Sequence, residues 1–190
     1  MRQSLLVKHV FPFVNWFLVM ILVAVGIDYL LHYFHWVFIG RYLGYLGTFV
    51  IVFSFVYSLR KRKLIQTGSP KQLLQTHEYM AWAGSIMIIV HAGIHFNALL
   101  PWLALLMLLI NVASGLVGKY LLKGANEALA AKRKTLMNSG IDKETSDREL
   151  FFDAIMVDAM KKWRVVHLPI SLLLALLALI HIVAVIMFTK

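Results

Sequence analysis

The sequence predicts an all-α integral membrane protein: a bundle of five transmembrane helices with a cytoplasmic amphipathic segment between the fourth and the fifth. Two observations predict this fold class. Of the 190 residues, 61% are hydrophobic and only 15% are charged, and the mean hydropathy is +0.77. A soluble domain of this length carries more charge and far fewer apolar residues, so the chain belongs in a lipid bilayer.

Five stretches are long and apolar enough to span the bilayer. A transmembrane helix needs about 20 mostly apolar residues to cross a hydrocarbon core of about 30 Å. The five stretches lie at about 10–31, 36–59, 78–100, 101–122 and 166–189. The first is long for the core of a signal peptide and no small-residue cleavage site follows it, so we expect it to remain as a helix. Residues 1–190 therefore form a single transmembrane domain.

The basic residues orient these spans. Of the 19 Lys and Arg residues, 17 lie before the first span, between the second and the third, or from Lys119 to Arg164, and only Arg41 and Lys190 lie on the opposite side. Because cytoplasmic loops carry the excess of positive charge, we predict a multi-pass protein of the bacterial inner (cytoplasmic) membrane, with its N-terminus in the cytoplasm and its C-terminus outside. Topology explains the net charge of +10, so no nucleic-acid partner is expected.

Residues 123–165 are the one long stretch that is not apolar enough to be a span. Two helix-like halves flank a turn signal at Asn138-Ser139-Gly140, and the second half mixes apolar with charged side chains. We predict that this segment lies on the cytoplasmic membrane surface as an interfacial linker. A docking platform for a partner protein is the alternative.

Two stretches of equal length begin and end with histidine. They are HEYMAWAGSIMIIVH, from His77 to His91, and HLPISLLLALLALIH, from His167 to His181. Fourteen helical residues come close to four full turns, so both histidines of a stretch share one face, about 21 Å apart along the axis. The third and fifth spans both start in the cytoplasm and run parallel. This geometry predicts two facing pairs, His77 with His167 near the inner surface and His91 with His181 toward the outer surface.

Intramembrane polar side chains are costly and mark functional sites. Zinc or non-haem iron takes three or four protein ligands, more than two imidazoles at each level supply. A haem iron has two axial positions that one imidazole from each helix can fill, so we favour paired haem ligation over a proton relay or structural hydrogen bonding. Gly84, midway between His77 and His91, leaves room for a flat macrocycle or for a neighbouring backbone. Because the chain has no cysteine, it cannot attach haem covalently.

Further residues complete this candidate site. His95 lies one turn beyond His91 and is the alternative outer ligand. Haem propionates are anionic and need cationic donors. Arg41 is the candidate donor at the outer haem, and Lys119 and Arg164 are the candidates at the inner haem, with snorkelling of topological charge as the alternative.

Three stretches resemble the ferric-reductase-like transmembrane di-haem b-type cytochrome family, in its branch of bacterial cytochrome b subunits. They are LGYLGTFVIVFSFVYSLRKR, HEYMAWAGSIMIIVHAGIHF and NVASGLVGKYLL, and the resemblance covers roughly residues 36–189. It implies two haem b groups, one ligated by His77 with His167 and one by His91 with His181. The sequence contains no G-x-G-x-x-G fingerprint. Direct oxidation of NAD(P)H by this chain is therefore not expected.

These observations predict an electron-transfer subunit rather than a complete enzyme, and we assign no catalytic residue. The subunit would carry electrons across the membrane within a multi-subunit oxidoreductase of a respiratory chain, from a quinol or cytoplasmic donor to an outer acceptor. Expected partners are the lipid bilayer and other redox subunits, namely a c-type cytochrome, an iron–sulfur protein or a flavin protein. A quinol donor makes quinone a further cofactor. The alternatives are a self-contained membrane reductase of metals or quinone, and a haem-free transporter or assembly subunit.

Overall fold

The described part of the chain is almost entirely helical. The computed structural model describes residues 5–94 and 99–188, which are about 90% helical and include no strand. The helices are α1 (Leu5–Tyr33), α2 (Val37–Ser54), α3 (Val56–Lys61), α4 (Pro70–Ile94), α5 (Leu99–Leu116), α6 (Lys123–Asn138), α7 (Lys143–Glu149) and α8 (Phe151–Phe188). A π-helical segment, Val117–Leu122, joins α5 to α6.

Four helical stretches of the described ranges are long and apolar enough to cross a membrane. They are Phe11–Tyr33, Val37–Lys61, Leu99–Asn138 and Val165–Phe188. The predicted class, an all-α protein with several helices long and apolar enough to span a membrane, is therefore confirmed for the described residues. Helix α4, which covers most of the predicted third span, is not among the four, because its first turns are polar and the predicted outer end falls on residues 95–98, outside the described ranges. The count of five spans stays a prediction.

The lipid-facing character of these helices is visible in their exposed side chains. Large apolar residues lie uncovered along α1, α2 and α8, for example Leu22 at 68%, Phe49 at 66% and Ile186 at 71% relative exposure. In water such surfaces would drive aggregation. A bilayer solvates them, so the exposed apolar surface agrees with a membrane location.

Helices extend through most of the segment between the predicted fourth and fifth spans. Helix α5, the π-helical segment and α6 follow one another without a break, and α8 begins at Phe151, well before the predicted start of the fifth span. Gly124 and Pro169 lie within a few residues of the two predicted boundaries, but both are inside helices. The change in hydropathy there is therefore not a change in backbone conformation. The predicted turn is confirmed: α6 ends at Asn138, and Gly140 has a φ of +75°.

The chain divides into two compact units, and α1, α5 and α8 contribute residues to both. The first unit comprises the described residues of Met1–Phe17 and Ala113–Ile170, and the second comprises those of Leu18–Val112 and Ser171–Lys190. The His91 and His181 of the predicted outer pair both belong to the second unit. His77 belongs to the second unit and His167 to the first.

In the first unit, internal ion pairs hold α6, α7 and the start of α8 together. Lys132 Nζ lies 2.7 Å from a carboxylate oxygen of Asp153. A guanidinium nitrogen of Arg133 lies 2.6 Å from a carboxylate oxygen of Asp147. Asp142 caps α7, and its hydrogen bonds from Thr145 lower the pKa of its carboxyl group. Several charged residues of this segment are therefore paired within it. Residues 123–165 contain nine Lys or Arg and seven Asp or Glu, so the segment carries a small net positive charge.

The packing of α2 against α4 lies in the second unit. A Cβ atom at Gly47 would lie 2.9 Å from Met87 Cβ and 3.0 Å from the Gly84 carbonyl oxygen. A Cβ at Gly84 would lie 3.1 Å from the Gly47 carbonyl oxygen and 2.7 Å from Ile51 Cγ1. The two backbones therefore touch at a seam that only glycine permits, as in many membrane helix pairs. The sequence predicts that Gly84 leaves room for a macrocycle or for a neighbouring backbone. The structure shows the close approach of the α2 backbone, and contact with a macrocycle stays a prediction.

Candidate functional site

The second unit brings together the two histidines of the predicted outer pair. His91 on α4 and His181 on α8 are both half-buried. Their ring centroids are 6.5 Å apart, and the ring planes meet at 56°. The two side chains are distant in sequence, so the fold of the second unit creates this pair.

The separation of the two rings suits the axial ligands of one iron. Metal–nitrogen bonds of about 2 Å on each side, together with the short distance from each nitrogen to its ring centre, place two such ring centres about 6 Å apart. The observed 6.5 Å is close to that separation. His91 and His181 therefore fit a haem iron bound between α4 and α8.

Backbone carbonyls of α2 hold both histidines of α4. His91 donates a hydrogen bond from Nδ1 to the Gly40 carbonyl oxygen at 3.1 Å, and His77 donates one from Nδ1 to that of Ser54 at 3.0 Å. Because a carbonyl oxygen only accepts, the proton of each neutral imidazole lies on Nδ1 and the lone pair lies on Nε2. Metal-binding histidines commonly have this arrangement. The tautomer of both α4 histidines is thus the one that ligation through Nε2 requires.

The spacing along α2 matches the spacing along α4. Gly40 and Ser54 are 14 residues apart, as are His77 and His91. The two helices run antiparallel, since the start of α2 meets the end of α4. One helix therefore supplies a carbonyl acceptor at each of the two levels.

His77 has a second neighbour on the short helix α3. The ring of Tyr57 stacks on that of His77, with centroids 5.6 Å apart and planes at 28°. Ser54, whose carbonyl accepts from His77, is the last residue of α2. The junction between α2 and α3 therefore contacts His77 twice, through the Ser54 carbonyl and through the Tyr57 ring.

In the first unit, His167 contacts the end of α5. Its Nδ1 lies 2.5 Å from the hydroxyl oxygen of Ser114, a fully buried residue. A Cβ at Gly115 would be in ordinary van der Waals contact with His167 Cε1, at 3.7 Å. The π-helical segment begins shortly after, at Val117, and such segments are frequent at functional sites. The pairing of His167 with His77 stays a prediction, because the two residues belong to different units.

The cationic candidates differ in what the structure shows of them. Arg41 is exposed on the second turn of α2, directly after Gly40, and is thus on the helix that holds His91. Lys119 is exposed in the π-helical segment, with its Nζ 5.4 Å from the ring centroid of Tyr120. The side chain of Arg164 and the whole of His95 lie outside the described part. Propionate binding by these cations, and His95 as the alternative outer ligand, stay predictions.

Several contacts of the histidines were not anticipated from the sequence. The glycines of α2 carry a signal that could have been used: Gly40 and Gly44 form the G-x-x-x-G spacing of close membrane helix pairs. Tyr57 and Ser114 carry none, since nothing in their local sequence distinguishes them from other tyrosines and serines near span ends. Their role follows only from the packing.

These features define the class of the protein: an all-α, multi-pass membrane protein with a paired-histidine site on α4 and α8. In residues 5–94 and 99–188, no three His, Cys, Asp or Glu side chains form a group that could hold a metal ion by themselves. No family model, curated protein or solved structure matches the chain. Its function is therefore inferred from the site alone.

Proposed function

We propose that this protein is a di-haem b-type cytochrome subunit that carries electrons across a membrane within a multi-subunit oxidoreductase. One observation carries the proposal: the rings of His91 and His181, which are far apart in sequence, have centroids 6.5 Å apart. The hydrogen bond to the Gly40 carbonyl supports it, because this bond fixes His91 in the tautomer that ligates through Nε2. Such a pair suits an iron that already has four equatorial ligands.

The roles of the chain's own residues follow from this arrangement. A haem, when bound, supplies an iron that passes single electrons by changing between the ferrous and ferric states. His91 and His181 would hold that iron and would exclude water, oxygen and other small ligands from it. The hydrogen bond to Gly40 raises the basicity of His91 and orients its ring. The site therefore serves electron transfer rather than substrate chemistry.

We assign the second haem to His77 and His167, 14 residues before His91 and His181 on the same two helices. Two contacts support this assignment. The Ser54 carbonyl fixes His77 in the same tautomer as His91, and Ser114 offers His167 Nδ1 a hydroxyl oxygen as acceptor. Two haems at two levels form a path for electrons across the bilayer.

Spectroscopy of the purified chain tests the proposed function. We expect two non-covalently bound b-type haems per chain, a low-spin reduced-minus-oxidised spectrum, and no spectral change with carbon monoxide. A single haem or a high-spin spectrum would contradict the four-ligand assignment. A well-expressed chain without a Soret band would instead favour the haem-free alternatives, a transporter or assembly subunit.

Replacement of Ser114 by alanine tests the inner ligand set. If His167 ligates through Nε2, its Nδ1–H donates to Ser114, and this bond stabilises the ferric state by raising the basicity of the ligand. A bond worth about 1 kcal/mol corresponds to roughly 40 mV for a one-electron couple. Only the difference in bond strength between the ferric and ferrous states shifts the potential, so we expect Ser114→Ala to retain both haems and to raise one midpoint potential by no more than that amount. If a redox titration shows unchanged midpoint potentials, Ser114 does not hydrogen-bond to a haem ligand.

We further propose that α4 is a fifth span and that the protein lies in a bacterial inner membrane. The distribution of the 19 basic residues supports a cytoplasmic N-terminus. Reporter fusions after Gly140 should therefore report the cytoplasm, and fusions after Lys190 the outside. A reporter at the N-terminus completes the test. The reverse pattern with the N-terminus outside would exchange the compartments that the two haems face, and the reverse pattern with the N-terminus in the cytoplasm would show an even number of spans.

Electron donors and acceptors belong, in this proposal, to other molecules. The donor is a quinol or a cytoplasmic redox subunit with flavin or iron–sulfur centres, and the acceptor is an outer protein such as a c-type cytochrome. Helices α6 and α7 together carry six Lys or Arg and four Asp or Glu, and this net positive charge suits an acidic partner or anionic lipid. Isolation of the native protein together with a second redox subunit would support this arrangement.

A further inference from the structure

We propose that Gly44 on α2 is a positioning residue for His91. This inference rests on the proposed function and adds a residue that does not ligate the iron. An ideal Cβ atom at Gly44 would lie 2.7 Å from both Cγ and Nδ1 of His91 and 2.8 Å from its Cδ2. Real Cβ atoms do not approach ring atoms so closely. The imidazole therefore lies directly over the backbone of Gly44, in the space that any other residue would fill.

The missing side chain also opens the route to the acceptor of His91. In an α-helix, the carbonyl of residue i points along the axis toward residue i+4. The residue four positions after Gly40 is Gly44, so no side chain there covers the Gly40 carbonyl oxygen. His91 Nδ1 reaches that oxygen at 3.1 Å. Gly44 thus permits both the position of the ring and the hydrogen bond that sets its tautomer.

An alanine at position 44 would have to displace the ring of His91. The ring is joined to its backbone by rotatable bonds, so it can move aside, but movement away from α2 breaks the hydrogen bond to Gly40. The ring would then lose its fixed tautomer and its orientation toward the iron. We therefore expect Gly44→Ala to act on one haem only, the one that His91 binds.

Two other glycines of the second unit provide matched controls. Gly47 lies one turn farther along α2 and is packed as tightly, but its Cβ would meet Met87, Gly84 and Ile88 rather than a histidine. Alanine at Gly47 therefore disturbs the seam between α2 and α4 without touching the ring of His91. Gly26 lies on α1, and a Cβ there would meet nothing within 4 Å, so alanine at Gly26 reports the effect of the substitution itself.

The experiment compares Gly44→Ala, Gly47→Ala and Gly26→Ala in the full-length chain. For each variant we would measure haem content, the electron paramagnetic resonance signals of the ferric haems, the midpoint potentials and the thermal stability. Gly44→Ala should lose one haem, or retain it with a changed resonance signal and potential, while the other haem is unaffected. Gly47→Ala should lower thermal stability and leave the signals of the retained haems unchanged. Gly26→Ala should resemble the wild type.

Two results would overturn the inference. The first is a Gly44→Ala variant with two haems of unaltered signal and potential. The second is the same spectroscopic change in Gly47→Ala, which would show that any disturbance of the seam is sufficient.

Nuclear magnetic resonance on ¹⁵N-histidine-labelled chain separates this inference from the proposed function. The wild type should show His91 with a protonated, slowly exchanging Nδ1, and Gly44→Ala should lose this signature. A wild type that binds no haem would refute the proposed function, yet the His91 signature would still decide the role of Gly44. If Gly44→Ala does not accumulate, an unprotonated or rapidly exchanging Nδ1 of His91 in the wild type would refute the positioning role, and a protected one would support it.

Discussion

Replacement of His91 or His181 by alanine is expected to reduce the haem content from two to one per chain. Each substitution removes one of the two imidazoles whose ring centroids lie 6.5 Å apart in the second unit. A porphyrin iron with a single axial ligand is held much more weakly, because the surrounding helices supply mainly apolar contacts. Both variants should therefore lose the same low-spin signal, as measured by haem quantification and electron paramagnetic resonance.

His32 provides the control for the outer haem. It is an exposed histidine on α1 and hydrogen-bonds through Nδ1 to the carbonyl of Asp28 on the same helix. His32→Ala should retain both haems. The ligand assignment would be wrong if His91→Ala kept two haems and His95→Ala lost one, and the pairing would be wrong if His91→Ala and His181→Ala lost different signals.

The second large effect is expected at the other level. His77→Ala and His167→Ala should each remove one haem. Both variants should lose the same electron paramagnetic resonance signal, and this signal should differ from the one that His91→Ala loses. The double variant His77→Ala with His91→Ala should bind no haem. Haem content of one in this double variant would require ligands outside the two histidine stretches.

Retention of both haems in His167→Ala would favour a different role for that residue. Its contact with the buried Ser114 would then be a structural hydrogen bond between α5 and α8. Measurements of stability separate the two readings, since a structural bond contributes about 1 kcal/mol and leaves the spectra unchanged.

The helical class could be predicted because it depends on regular geometry. The same geometry predicts the outer histidine pair, whose ring centroids lie 6.5 Å apart, and its ligand role stays a prediction. Apolar length predicts membrane helices, and a 14-residue spacing predicts two histidines on one face. The meeting of His91 with His181 follows from that spacing once α4 and α8 are neighbours. The turn at Asn138-Ser139-Gly140 could be predicted because glycine there adopts a positive φ.

The extent of the helices and the partners of the histidine rings could not be predicted in the same way. Helix α8 extends beyond the apolar stretch because polar residues such as Lys161 and Lys162 are good helix formers, so hydropathy marks the edge of a span and not the end of a helix. The acceptors of His77 and His91 are backbone carbonyls, which every residue has. Only the antiparallel register of α2 and α4 determines which carbonyls meet the rings.

The register of α2 and α4 also has a consequence for biosynthesis. Both carbonyl acceptors and both of the histidines they hold lie within residues 40–91, whereas His167 and His181 are translated far later. The hairpin of α2 and α4 contains these hydrogen bonds and can form them in the membrane while the ribosome is still synthesising the rest of the chain. One half of each proposed site is then oriented before its second ligand exists. Cofactor insertion would wait for α8, so a chain truncated before His167 should accumulate without haem.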